Sequence, residues 1–143
     1  MLEDPPSLYV LKYLVDRGLV ALTGLTWPGS SPNLPDDEPI NRVVVVDTFP
    51  VLDGRDLRSG EVLMHPAVMV VIRGRPYSAA WAKGMAIQAA LAEAKRETVT
   101  PAGRPSALLQ SFTLTTGLAR YSTSDRNKAD LLSLNGTVTI KEV

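Results

Sequence analysis

Two stretches of this chain are apolar at every position: Val43-Val44-Val45-Val46, inside a segment from Asn41 to Asp47, and Ala67 through Ile72. A strand with one face in water alternates apolar and polar residues, so an unbroken β-branched run calls for cover on both faces. Pro50 to Gly60, between the two runs, carries charged and glycine-rich turn chemistry. The pair is therefore expected as an antiparallel hairpin with a broad loop.

The cover must come from helices, and the spacing predicts two. Asp4-Pro5-Pro6 followed by a run ending at Gly18 reads as a helix from Pro5 to Arg17, with Pro in the first turn and Gly as the stop. Leu8, Leu11, Leu14 and Val15 place its apolar stripe on one side. Ser78 can cap a second, alanine-rich helix running to about Arg96, whose Lys95 and Arg96 suit the negative C-terminal end. Trp81, Gly84, Met85, Ile87, Gln88 and Leu91 fall near one face, expected to lie against a sheet. Gly84 costs about 1 kcal/mol relative to Ala in an exposed helix, and close packing is the expected compensation.

Thr98 to Ser106 reads as a Pro/Gly loop, and Ser111 onward alternates as a strand with one wet face. Ser122 to Lys128 is a polar turn. Leu131 to Val143 alternates again but contains Asn135-Gly136, so it is either two short strands or one long strand with a bulge at Gly136. The order helix, strand, strand, helix, strand, strand gives an α+β class: a mainly antiparallel sheet of four strands, or slightly more, packed with two helices. Residues 1–143 form one domain with a Pro-rich loop at about 24–39, where Pro28, Pro32, Pro35 and Pro39 exclude a helix or a central strand. Two helices are scant cover. Either one lies on each side of the sheet, or another subunit buries the free face and the protein is an obligate oligomer.

Composition removes several functions. The chain has no Cys and one His, which excludes a thiol nucleophile, a disulfide framework and a cysteine or histidine zinc site. Lys+Arg and Asp+Glu balance at 15 each, against the basic excess of a general nucleic-acid binder. The balance hides a split: residues 1–72 hold five basic and ten acidic side chains, and 73–143 the reverse. That split means little if strands of both halves interleave in one sheet; otherwise it gives a molecule with an acidic and a basic side, able to pack head to tail. No apolar run approaches the roughly 20 residues of a membrane span, and the start has no basic n-region.

No phosphate-cradling loop, nucleophile elbow or dinucleotide turn is present, and no cofactor is implied. His65, before Pro66, has no visible catalytic partner and reads as structural or exposed. Asp36-Asp37-Glu38 lacks the alternate-ligand spacing of a calcium loop and reads as a solvated acidic loop or a partner-facing patch. Asp53-Gly54-Arg55-Asp56 is a turn. Trp27, in a proline-rich loop, is either folded onto the core or placed at an interface. Arg73, Arg75 and Lys83 form a basic group after the second strand, either a solvated edge or a contact for phosphates or a neighbour's acidic loop.

Several pieces, taken in order, resemble the tail terminator family of long-tailed bacteriophages, also described as minor capsid or tail completion proteins. They are the first helix ending Arg17-Gly18-Leu19, the Trp27-Pro28 step, the strand Val43 to Asp47 opening into Thr48-Phe49-Pro50, and a strand ending Val71-Ile72-Arg73-Gly74 before the alanine-rich helix. The ending Ser124-Asp125-Arg126-Asn127 through Leu131-Leu132-Ser133-Leu134-Asn135 is similar to the family's Arg-Asp-x-Asn-Gly turn and Ser-x-Asn strand, with Lys128 in place of the Gly. The resemblance spans nearly the whole chain and rests on order and spacing.

It implies a non-enzymatic virion protein, made in the host cytoplasm and located at the head-tail junction. There it forms a ring, commonly of six copies, that caps the tail tube, ends its polymerisation and offers a surface to the head-tail connector or neck. DNA would only pass through the lumen. It also favours one long final strand. Trp27, Asp36, Asp37, Glu38, Arg73 and Arg75 are the expected subunit or partner contacts. The competing readings are another connector or a tail tube subunit, an oligomeric binding module unrelated to phages, and a small hydrolase using His65.

Overall fold

The computed structural model of the chain describes residues 4–21, 27–30, 40–55, 62–124 and 129–142. Pro5 and Pro6, with φ already helical and no amide hydrogens to satisfy, open α1 (Pro6–Asp16). No local side chain caps it. Instead Asp47, from the neighbouring strand, accepts the Ser7 amide on Oδ1 at 2.9 Å and the Ser7 hydroxyl on Oδ2 at 2.6 Å. A carboxylate at the positive end of a helix both caps it and fixes it to the sheet. At the other end Gly18 takes φ +75°, and the amides of Gly18 and Leu19 reach back to the carbonyls of Val15 and Leu14, a Schellman stop.

The sheet departs from the expected four-stranded, mainly antiparallel arrangement. Six strands form one mixed, curled half-barrel. They are β1 (Gly29–Ser30), β2 (Arg42–Arg55), β3 (Val62–Gly74), β4 (Lys95–Val99), β5 (Ala107–Ser124) and β6 (Ala129–Glu142), in the spatial order β1-β2-β3-β6-β5-β4. β1 runs parallel to β2, and the other pairings are antiparallel. The two strands beyond the expected four are the edges, whose sequences lack a strand pattern. β1 is two residues beside Pro28, and β4 is exposed at Lys95, Arg96, Glu97 and Thr98, burying only Val99. Short, charged edges also resist pairing with stray strands.

The second helix, α2 (Tyr77–Ala92), stops four residues before the expected end at Arg96. Ala94 turns into the core, and Arg96, at φ +54°, begins the return strand. Pro76, not Ser78, is its N-cap.

Both helices lie on one face of the sheet. Val43 and Val45 of β2, Val70 and Ile72 of β3, and Leu132 and Leu134 of β6 share that face by register. They form one core with Tyr9, Val10 and Leu14 of α1 and Ala80, Ile87 and Leu91 of α2. Each Val, Leu or Ile among them, fully buried, contributes roughly 1.5–3 kcal/mol. Tyr9 and Tyr13 bury their rings and donate their hydroxyls to the carbonyls of Pro105 (2.9 Å) and Ala90 (2.6 Å), tying α1 to the β4–β5 turn and to α2.

β6 is one strand through Asn135-Gly136. Gly136 pairs with Val68 on one side and Leu114 on the other, and a Cβ on it would stand 2.2 Å from the Phe112 ring. The glycine is present because an aromatic ring occupies the place of its side chain, which overrides the local hairpin preference.

Gly136→Ala is expected to destabilise the fold by about 1–3 kcal/mol in urea unfolding, and Phe112→Leu in the same chain should recover part of that loss. Tyr13 makes a second expectation. Burial lifts its phenol above the ordinary 10.0; the Arg17 charge pulls against this, and Glu97 and Glu93 add to it. A raised folded-state pKa gives stability that is complete below pH 10 and lost as the pH climbs through the folded value. Unfolding above pH 10 should therefore show a fall in stability that Tyr13→Phe removes.

Candidate interaction surface

α2 carries one charged side chain in 16 residues, Lys83, so it is apolar on every side. Such a helix is normally enclosed, yet this one has only its inner side covered. Small residues make that inner side: Ala80 and Gly84 let the helix approach the sheet, and a Cβ on Gly84 would lie 2.7 Å from Leu118. Tyr77, Trp81, Met85 and Ala89, at successive helical turns, are therefore turned to solvent. The expectation that Trp81 and Met85 pack on the sheet is corrected here. An all-apolar sequence carries no phase from which to tell inside from outside, and the small residues at 80 and 84 were the available signal.

Lys83 does not break this surface. Its Nζ donates to the Leu19 carbonyl at 3.0 Å and lies 5.4 Å from the centre of the Trp27 ring, and burial lowers its pKa. Beyond the helix, Leu114 of β5 is 40% exposed, and Met85, Gln88, Ala89, Ala92, Phe112 and Leu114 line an open groove of about 180 Å³. Tyr77 and Trp81 sit with ring centres 6.1 Å apart at one end of the strip, where Arg120, paired with Asp130 at 2.9 Å, lies over Tyr77.

A second apolar feature stands elsewhere. Phe49 of β2 is 93% exposed. The ladder between β2 and β3 shifts register between Thr48 and Val51, opposite Pro66. Pro50 and Pro66 have no amide to offer, so the strand bulges and turns the Phe49 side chain outward.

The expected contact residues scatter. Trp27 is half-buried against the core, held between Lys83 and Gly74. Arg73 is 1% exposed and donates Nε to the Ile40 carbonyl at 2.7 Å, so it is not the solvated edge that the sequence suggested. It stands opposite Arg42 on the face turned away from α1 and α2, beside the buried Val44 and Val71. Arg75 is exposed, its amide bonded to Asn41 Oδ1 at 3.0 Å. Asp36, Asp37 and Glu38 lie outside the described residues. His65 is half-buried in β3 opposite Val51. Among the described residues no three His, Asp or Glu side chains gather as a metal site, and no helix is long and apolar enough to cross a membrane.

No family model and no curated protein matches the chain. The surface itself therefore carries the functional argument.

Met85→Lys is expected to change monomer stability by less than about 1 kcal/mol, because the side chain already meets solvent. Ile87→Ala, on the buried side of the same helix, should cost about 2–5 kcal/mol. Urea unfolding of the two variants checks the assignment of faces.

Proposed function

We propose that this protein is a non-enzymatic structural subunit that closes into a ring, commonly of six copies, and caps the tail tube of a long-tailed phage. In that role the ring ends tube polymerisation and offers its other surface to the neck, with DNA passing through the lumen. The observation that carries the reading is the uncovered, charge-free side of α2, continued by Leu114 on β5. A surface of this kind on a small domain marks a protein contact. The order of the family-like segments, from Arg17-Gly18 and Trp27-Pro28 to the final strand, supplies the particular assembly.

The second face of the sheet is closed at its centre within one copy and adds no contact to this reading. Val44 and Val71 are buried there, and Val46, Met69 and Leu131 half-buried, on a face to which neither helix contributes. Contacts between unlike surfaces of identical subunits close into rings when the rotation permits and grow open filaments when it does not. That difference separates a terminator from a tube subunit.

Light scattering coupled to size exclusion, over a concentration series with and without purified tail tubes, tests the proposal, with negative-stain images of the same fractions. The expected result is one closed ring, or a monomer that becomes a ring on tube ends. Open tubes of unlimited length would transfer the assignment to a tube subunit. A monomer indifferent to tubes would overturn the phage reading.

A further inference from the structure

The structure carries a knob and a socket at opposite sides of one sheet. Five large apolar side chains are exposed among the described residues. Four of them, Tyr77, Trp81, Met85 and Leu114, belong to the α2–β5 strip, and the fifth is Phe49. We propose that the ring is built by inserting Phe49 of one copy into the groove between α2 and β5 of the next. This rests on the ring reading above and names the contact that makes it.

Size supports the fit. A closed apolar cavity of about 150 Å³ accepts a benzene ring, and the groove offers about 180 Å³ with walls of Met85, Ala89, Phe112 and Leu114. No charged side chain lines it, so a phenyl ring enters without stripping water from an ion. Phe49 does not fill the groove of its own copy. β2 and β5 are separated by β3 and β6, and three strand spacings make about 14 Å, beyond the reach of a phenylalanine side chain.

The sheet edges agree with the same pairing. β1 covers β2 only at Val43 and Val44, and β4 covers β5 only from Ala107 to Ser111. Among the described residues, the outer edges of β2 beyond Val44 and of β5 beyond Ser111 have no strand partner. Phe49 lies on the first open edge, and Phe112 and Leu114 on the second. Two copies placed head to tail bring these edges toward each other.

The α2 strip is too small to be an interface by itself. α2 is about 24 Å long at 1.5 Å per residue, so with a width near 10 Å its outer strip covers only a few hundred Å². Stable interfaces take about 800 Å² from each partner. Two α2 strips facing each other fall short. A head-to-tail contact adds to the strip the open edge of β5 on one copy and the Phe49 bulge with the open edge of β2 on the other, so its area is not limited to the helix.

The chain has no cysteine, which makes crosslinking a clean test. Full-length Thr48→Cys, exposed beside an intact Phe49, and Met85→Cys are prepared separately, mixed, and treated with a short thiol-to-thiol crosslinker; Ala102→Cys, on the exposed β4–β5 turn, replaces either partner as control. The expected product is a covalent dimer in the mixture of the first two and none with the control. Phe49→Ala should raise the concentration for half-assembly by roughly tenfold or more, as an interface hot spot does, with monomer melting unchanged because the side chain is exposed. If the wild-type ring forms but Phe49→Ala assembles as before and no crosslink appears, the knob-and-socket contact is overturned and the ring reading stands. If the wild-type chain stays monomeric at every concentration and with tubes, both are overturned.

Discussion

Among the described residues, both helices, α1 and α2, lie on one face of the sheet. That placement follows from the shared core of α1, α2, β2, β3 and β6, and much else depends on it. The helix face becomes a closed core, sealed by Asp47 at the start of α1 and by the hydroxyls of Tyr9 and Tyr13. The other face keeps Val44 and Val71 with Arg42 and Arg73 beside them. Two arginines directly opposite on neighbouring strands repel, and Arg73 is held in place by the Ile40 carbonyl.

The same economy shapes α2. A helix with one lysine and a row of alanines suits close contact on more than one side, and the sheet supplies only one. Lys83 turns toward Trp27 and Leu19 instead of standing on the outer strip. The outer residues therefore gain little from the monomer, and their chemistry fits a neighbour's surface. Phe49 belongs to the same accounting, being pushed out by a bulge where two prolines meet in the ladder.

Much of the helix and strand content was legible in the residues. Pro5-Pro6 and Gly18 mark α1 within a residue at each end, and the valine runs locate the first half of β2 and the second half of β3; the hairpin itself continues to Arg55 and resumes at Val62, through most of the segment expected as a broad loop and through the turn expected at Asp53-Gly54-Arg55. The edge strands were not legible, because β1 is too short for a pattern and β4 exposes Lys95, Arg96 and Glu97 where alternation would be sought. The surface was read less well. Arg73, expected at a solvated edge or a contact, is buried, while the outward positions of Trp81, Met85 and Phe49 are set by the tertiary structure.

The division has a physical basis. Local sequence determined what local physics controls: where α1 begins and ends, and that the two valine-rich runs are strands. Tertiary structure decided what depends on partners far along the chain. Asn135-Gly136 has the local chemistry of a turn, yet it lies inside a strand because Phe112, more than twenty residues earlier, fills the space above Gly136. The outward side of α2 was settled in the same way, by Leu118 against Gly84, since in a helix with so little charge the small residues at 80 and 84 are the one local sign of which side meets the sheet.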